Sequence, residues 1–157
     1  MSLRLRPYTG SDWIAARDIH NLCKPDEVRG SADADAILPF DQDAPMLVMF
    51  CRSDITVAVD DGVVIGVTGT IGNYVSWLCV HPDHRRKGVA TTLLHAVLAG
   101  MTGPATLNVF ARNDAARRLY ERLGFVVERA FIGSFNGRDV DVVTLRRDDP
   151  GRVPSPR

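Results

Sequence analysis

The sequence lacks the patterns that mark several common cofactor sites and membrane proteins. It contains no Gly-x-x-x-x-Gly-Lys-Ser/Thr segment and no Gly-x-Gly-x-x-Gly fingerprint, so neither an ATP or GTP P-loop nor a dinucleotide site is expected. No apolar run approaches the roughly 20 residues that cross a bilayer, and no signal-peptide pattern is present. These absences predict a cytoplasmic protein that does not bind membranes.

Charge of one sign is also missing, and cysteine is scarce. Lys+Arg and Asp+Glu number 19 each, so the net field favours neither nucleic acid nor an anionic membrane, and any anion site must be local. The three cysteines, Cys23, Cys51 and Cys79, are an odd number. We expect them to be reduced thiols, mostly buried as small hydrophobic residues.

Length and hydrophobic periodicity predict a single α/β domain. The 157 residues are enough for one continuous core, and 45% of them are hydrophobic. The predicted order is β-α-α-β-β-β-α-β-α-β-β, a mixed sheet of six or seven strands flanked by helices, without an internal repeat. Residues 1–147 form the predicted domain. The segment 148–157 is polar and proline-rich and is predicted to be a disordered tail.

The strands are predicted from alternating or continuous apolar runs bounded by turn residues. They fall at 3–6, 55–59, 63–70, 74–80, 106–110, 126–132 and 139–145. Asp60-Asp61-Gly62 and Asn136-Gly137 predict tight hairpin turns.

Helices are predicted where apolar residues recur at helical spacing behind a capping residue. One begins after Ser11 or Asp12, a weaker one runs from Ser31 to Pro39, a third covers 90–101, and the last runs from Asn113 to Gly124. The run 46–50 fits a buried strand and a helix end equally well.

The most informative segment is the passage from a strand through a basic loop into a helix. Val80 ends an apolar run, Pro82 begins a turn, and Arg85-Arg86-Lys87-Gly88 leads into apolar residues at helical spacing. Unpaired N–H groups at a helix N-terminus bind anions, and a glycine lets a phosphate approach closely. This segment predicts a phosphate-bearing ligand. The alternative is a solvated basic turn.

Two segments carry a resemblance to a known family. Residues 78–91, Leu-Cys-Val-His-Pro-Asp-His-Arg-Arg-Lys-Gly-Val-Ala-Thr, resemble the acyl-CoA motif of the GCN5-related N-acetyltransferase (GNAT) superfamily. That motif, Gln/Arg-x-x-Gly-x-Gly/Ala after a strand, falls on Arg85, Gly88 and Ala90. Residues 113–125 resemble the family's next helix, with its Asn and Tyr at Asn113 and Tyr120.

With the order of elements, the likeness covers about 55–145. It implies a single-domain GNAT-like fold, with residues 1–147 as an N-acetyltransferase domain. The sheet would splay between the strand at 74–80 and the strand at 105–110, where the cofactor inserts.

The resemblance implies a role for each residue of the motifs. Backbone groups of Leu78, Cys79 and Val80 would hold the pantetheine arm and the thioester carbonyl. The pyrophosphate would lie on the loop that starts at Arg85, held by the amides of Arg86, Lys87, Gly88, Val89, Ala90 and Thr91. Asn113 would bind the pantetheine chain, and Tyr120 would protonate the leaving thiolate as a general acid. The alternative for Tyr120 is a ring packed on the core face of its helix.

The implied reaction is acetyl transfer from acetyl-CoA to a primary amine, with coenzyme A as product. The amine attacks the thioester directly in a ternary complex and forms a tetrahedral oxyanion that a strand N–H can stabilise. The acceptor could be a small molecule, a peptide N-terminus or a lysine side chain, and nucleic acid is not a partner. The resemblance also implies a homodimer. The alternative function is an acyl-CoA-binding sensor or a catalytically degenerate member of the same fold.

The base that deprotonates the amine is not identified by the motifs. Asn108 stands where some similar enzymes have Glu, five residues before Asn113, and an amide cannot act as a base. The candidate substitutes are Glu27, Asp33, Asp139, Asp141 and His20. No metal is expected, because Cys79-x-His81-x-x-His84 lacks a second ligand cluster and is better explained as turn residues beside a phosphate site.

Overall fold

The computed structural model describes residues 2–148, which form one seven-stranded sheet. In chain order the strands are β1 Leu3–Pro7, β2 Asp54–Asp60, β3 Val63–Ile71, β4 Tyr74–Val80, β5 Ala105–Phe110, β6 Val126–Phe135 and β7 Arg138–Arg147. The spatial order is β1-β2-β3-β4-β5-β7-β6. Every neighbouring pair is antiparallel except β4 and β5, which run parallel. The predicted mixed sheet is confirmed.

Helices cover both faces of the sheet. They are α1 Trp13–Val28, α2 Ala44–Arg52, α3 Val89–Ala99 and α4 Asp114–Arg122. The first two pack with Trp77 and Cys79 of β4, whereas α3 and α4 pack on the face to which Leu78 belongs. This division follows from the period of two in a strand, which sends successive side chains to opposite faces.

The parallel pair opens into a V. Only Tyr74 of β4 and Thr106 of β5 pair, beside a hydrogen bond from the Thr106 N–H to the Asn73 carbonyl of 3.0 Å. This one pairing lies at the start of both strands. Beyond it the strands separate, which confirms the predicted splay between 74–80 and 105–110.

Both predicted hairpin turns are present. Asp61 and Gly62 have φ angles of 49° and 77°, and Asn136 and Gly137 have φ angles of 45° and 83°. Two successive residues at positive φ are what a type I′ turn requires, and its twist matches that of the flanking strands.

The predicted helix from Ser31 is wrong. The chain forms only short 3₁₀ turns at Ala34–Ala36 and Phe40–Gln42. The helix begins later, after Asp43, whose Oδ1 accepts a hydrogen bond of 3.3 Å from the Met46 N–H. The run 46–50, which fitted two interpretations, is therefore helical.

The expected side-chain caps of α1 are also wrong. Asp12 precedes the helix, but its carboxylate makes no capping bond to α1. It accepts from the Arg6 guanidinium at 2.7 Å and from the Thr9 N–H at 2.9 Å. Arg6 holds the pKa of Asp12 down at about 2. The charged partner on β1 takes the carboxylate because it offers a stronger bond than a helix N–H.

Two further predictions concern the chain ends and membranes. The tail 148–157 lies, apart from Asp148, outside the described residues. Among residues 2–148, no helix is both long and apolar enough to span a bilayer.

Candidate active site

The open part of the V presents free backbone groups of β4. The His81 N–H bonds to the Ile65 carbonyl of β3 at 2.8 Å, and the β4 register is regular from there to Leu78. Because antiparallel pairs alternate, Cys79 also directs its backbone to β3, whereas Leu78 and Val80 direct theirs into the gap. Of the three residues predicted to bind the cofactor arm through their backbone, Leu78 and Val80 thus face the gap and Cys79 faces β3.

The basic loop ends at the N-terminus of α3, beside the open end of the gap. Gly88 caps this helix with a φ of 78°, a conformation that suits glycine, and nothing lies within 4 Å of the position a Cβ would occupy. Arg86, Lys87 and Gly88 are exposed, while Val89 is buried under the helix. The start of α3 is therefore open, as the predicted anion site requires.

Arg85, the first residue of the motif, directs its side chain into the protein. Its Nη1 donates to Asp26 at 2.6 Å, its Nε donates to the Val80 carbonyl at 3.3 Å, and its Nη2 lies 3.5 Å from the Sγ of Cys23. These contacts join the loop to α1. They place the guanidinium as a structural group of the gap wall.

The two predicted residues of α4 occupy different positions. Asn113 caps the helix, its Oδ1 accepting from the Ala116 N–H at 3.4 Å, a role that uses only its carbonyl oxygen. Tyr120 is buried, with its ring 5.9 Å from that of Phe125. Burial raises the pKa of Tyr120 well above its ordinary value, and nearby Glu27 and Cys79 raise it further. The phenol is therefore protonated at neutral pH, as a general acid must be.

Glu27 is the candidate base that the fold brings to β4, the strand whose free edge faces the gap (hereafter the gap strand). Its Oε1 lies 3.6 Å from the Sγ of Cys79, and its Oε2 lies 3.3 Å from the Nζ of Lys24. The Lys24 ammonium is itself buried over the rings of Phe110 and Phe135, at 5.7 and 5.3 Å. The carboxylate keeps 27% of its side-chain surface exposed, so an incoming amine can reach it.

The other candidate bases lie elsewhere. His20 is enclosed by Phe40 and Trp77, and neither of its ring nitrogens has a hydrogen-bond partner. Asp139 and Asp141, on β7, line a cavity of about 220 Å³ that they share with Gly30, Ser31 and Arg112.

Asp33 and Asn108 are the remaining residues considered for the base. Asp33 is exposed before a 3₁₀ turn, and Asn108 accepts a hydrogen bond of 2.7 Å from Thr144 on β7.

In the described part of the chain, no three His, Cys, Asp or Glu side chains form a metal cluster. The Nδ1 of His81 accepts from the Asp83 N–H at 3.1 Å and so serves the turn.

Comparison with known families gives the match that decides the classification. The family model described as an acetyltransferase (GNAT) domain matches residues 51–127. The chain belongs to the GNAT acetyltransferase family. The matched part of this GNAT protein contains β4, the basic loop, α3 and α4, and with them every residue of the predicted acyl-CoA site.

A curated relative of this GNAT protein is the mycothiol acetyltransferase of Parafrankia sp. (strain EAN1pec). The two are 40% identical over 90 residues, which is 56% of this chain and 26% of that protein. The chain therefore spans about a quarter of the length of this relative.

Solved structures share the fold of this GNAT protein. A GCN5-related N-acetyltransferase from Rhodopseudomonas palustris has a TM-score of 0.79 and 21% identity, over 94% of this chain and 96% of that one. The PaiA N-acetyltransferase from Thermoplasma acidophilum, solved in complex with coenzyme A, has a TM-score of 0.75 and 19% identity, over 94% and 99%. The predicted fold class is confirmed.

Proposed function

We propose that this protein transfers an acetyl group from acetyl-CoA to a primary amine, by direct attack within a ternary complex. The observation that carries the proposal is the V between β4 and β5, which pair only at Tyr74 and Thr106. The backbone groups of Leu78 and the N–H of Val80 are directed toward this gap, and in the proposal the phosphates lie at the start of α3 and the thioester lies near Tyr120. A thioester at the end of a phosphate-bearing arm fits this arrangement.

Coenzyme A would be held at two places. The amides from Arg86 to Thr91, at the start of α3, would bind the pyrophosphate, with the exposed side chains of Arg86 and Lys87 adding positive charge. The pantetheine arm would add its amides to the free edge of β4, and the Nδ2 group of Asn113 would donate to it. The family match covers all of these residues.

The chemistry uses groups on both sides of the gap. The backbone N–H of Val80 would stabilise the oxyanion that forms when the amine attacks the thioester carbonyl. Collapse of this intermediate expels a thiolate with a pKa of about 8.5, which the Tyr120 phenol would protonate. No covalent enzyme intermediate is needed.

Glu27 would accept the proton of the attacking ammonium, directly or through one water. It lies against Cys79 on the gap strand and is partly exposed, whereas His20 is enclosed by aromatic rings. The contact with Lys24 fixes the direction of the carboxylate.

A second candidate function is an acyl-CoA-binding sensor without turnover. It is favoured by Asn108, since this residue accepts a hydrogen bond from Thr144 and its amide cannot act as a base. The two functions predict the same binding of acetyl-CoA and differ in thiol release.

The test is a thiol-release assay with acetyl-CoA and a panel of small amines, peptides with free N-termini and lysine peptides. Cys51 is exposed and would react with the thiol reagent, so the Cys51→Ser variant gives the lower background. Amine-dependent release supports the transferase. Binding of acetyl-CoA without release across the panel supports the sensor, and absence of binding contradicts both.

The predicted cytoplasmic location and the predicted homodimer stay predictions. Cell fractionation and light scattering on the purified protein test them directly.

A further inference from the structure

Two buried cysteines meet on the α1 side of the gap strand. The Sγ of Cys23 lies 3.2 Å from the carbonyl oxygen of Val80, the residue next to Cys79 on β4. One turn further along α1, Glu27 contacts the Sγ of Cys79 at 3.6 Å. Cys79 thus lies between Cys23 and Glu27, which share a helix face because they are four residues apart. Both cysteines belong to the same cluster of buried residues.

The surroundings of the pair divide the roles of its two sulfurs. The neighbouring Cys79 thiol lowers the pKa of the Cys23 thiol, and the Arg85 guanidinium lowers it further, against the opposing effect of burial. The Cys23 thiol and burial raise the pKa of the Cys79 thiol. A thiolate beside a cation is the nucleophilic and oxidisable form of cysteine. Cys23 is therefore the attacking sulfur and Cys79 the resolving one.

We propose that Cys23 and Cys79 form a peroxide-sensitive modification site, at which a reversible disulfide joins α1 to β4. The Cys23 thiolate attacks one oxygen of hydrogen peroxide, the O–O bond breaks, and a sulfenic acid forms while the other oxygen leaves as water. The Cys79 sulfur then attacks the Cys23 sulfur, the S–O bond breaks, and a second water leaves. Two thiols and one peroxide give one disulfide and two waters.

The new bond changes contacts on both sides of the gap strand. It removes the Cys79 thiol hydrogen from Glu27 and takes the Cys23 sulfur away from Arg85. The contacts of Glu27 and Arg85 therefore depend on the redox state of the cysteine pair. Formation of the disulfide does not depend on the proposed acetyl transfer.

The test treats the folded protein with increasing hydrogen peroxide, blocks free thiols with N-ethylmaleimide in denaturant, and maps tryptic peptides without reduction. Cys51, exposed on α2, is an internal reference for ordinary thiol oxidation. We expect a linked peptide pair that contains Cys23 and Cys79, the loss of two hydrogen atoms from the intact mass, and reversal by dithiothreitol. The Cys51→Ser variant should behave in the same way, since the bond is intramolecular.

Three results would contradict the inference. One is full alkylation of Cys23 and Cys79 at peroxide concentrations that have already oxidised Cys51. Another is linkage that appears only when peroxide is added to the unfolded chain, because the bond would then not depend on the native contact. Oxidation of Cys23 to a sulfinic acid without any linked peptide would equally contradict the resolving role of Cys79.

Discussion

The Nη1 of Arg85 donates to the Oδ2 of Asp26 at 2.6 Å, and this contact ties the basic loop to the last turns of α1. The Nε of the same guanidinium bonds to the Val80 carbonyl at the end of β4. The Arg85 side chain thus connects α1, β4 and the basic loop that precedes α3. The motif residue Arg85 thus braces these three elements, whatever it contributes to the cofactor.

Replacing Arg85 should therefore reduce stability more than it reduces binding of coenzyme A. Arg85→Gln removes a bond to Asp26 between partly exposed groups, so we expect a loss of about 1 kcal/mol or less, measured by urea unfolding. Arg86→Gln, one residue further along the exposed loop, is the matched control and should leave the unfolding midpoint nearly unchanged. Equal midpoints for the two variants would contradict the bracing role.

Gly88 permits a matched test of the anion site. Gly88→Ala forces a non-glycine residue to a φ of 78°, which costs about 1–2 kcal/mol, and adds a methyl group at the start of α3. Gly62→Ala imposes the same strain at a φ of 77° in the β2–β3 turn, also with open space around the new Cβ.

Both glycine variants should lose similar stability in thermal unfolding. Only Gly88→Ala should bind coenzyme A more weakly in isothermal titration. A similar loss of affinity in Gly62→Ala would mean that binding reports general destabilisation.

Glu27→Gln should lower kcat by about a hundredfold or more, since it removes the proposed base. Binding of coenzyme A, for which we propose the free edge of β4 and the start of α3, should not change in titration calorimetry. The variant leaves Lys24 without its carboxylate, so assays belong at temperatures where circular dichroism shows the folded state. Asp139→Asn is the control and should keep the kcat of the natural protein. An unchanged kcat in Glu27→Gln would exclude Glu27 as the base.

Tyr120→Phe should reduce kcat while coenzyme A still binds, because the ring is kept and only the acidic hydroxyl is lost. Burial keeps the pKa of Tyr120 above the ordinary value of 10.0, so its ionisation should produce no fall in activity as pH rises toward that value. Tyr8→Phe, on the α2 side against Phe50, is the matched control. Full turnover by Tyr120→Phe would remove the general acid assignment.

His20 should make the protein sensitive to acid. Burial, with a smaller effect of Lys24, lowers its pKa from 6.5 to about 3. Between these pH values the unfolded chain binds a proton that the folded chain does not. The contribution of His20 to the free energy of unfolding is therefore complete above pH 6.5. It falls on acidification, by up to about 1.4 kcal/mol per pH unit.

Urea unfolding of His20→Phe between pH 4.5 and 7 checks this prediction. Removing the titratable ring should flatten the profile relative to the natural protein. His95→Gln, an exposed position on α3, should retain the natural slope. An identical slope in His20→Phe would show that other groups cause the acid sensitivity.

Much of the site was predictable because it depends on neighbouring residues. Gly88, Asn113 and the turn at Asn136-Gly137 occupy the positions that their backbone chemistry favours, and β4 has the predicted bounds. The predicted helix from Ser31 failed, since local propensity alone does not form a helix without a face to bury.

The base shows where sequence reasoning stops. Glu27 was one of five candidates, and nothing near it in the chain distinguished it from Asp139. The helix α1 continues through Pro25, although a proline removes a backbone hydrogen bond, and so carries Glu27 to the gap strand. Packing of α1 against the sheet compensates for the lost bond, and packing cannot be seen in a local pattern.

The sequence by itself determined the family, the basic loop and the helix of Asn113 and Tyr120, because each is encoded within about a dozen adjacent residues. Only the tertiary structure decided the partners across the gap. Cys79 and Glu27 are 52 residues apart in the chain, and Arg85 and Asp26 are 59 apart. Such contacts depend on how α1 lies on the sheet, which is set by burial of the whole helix face.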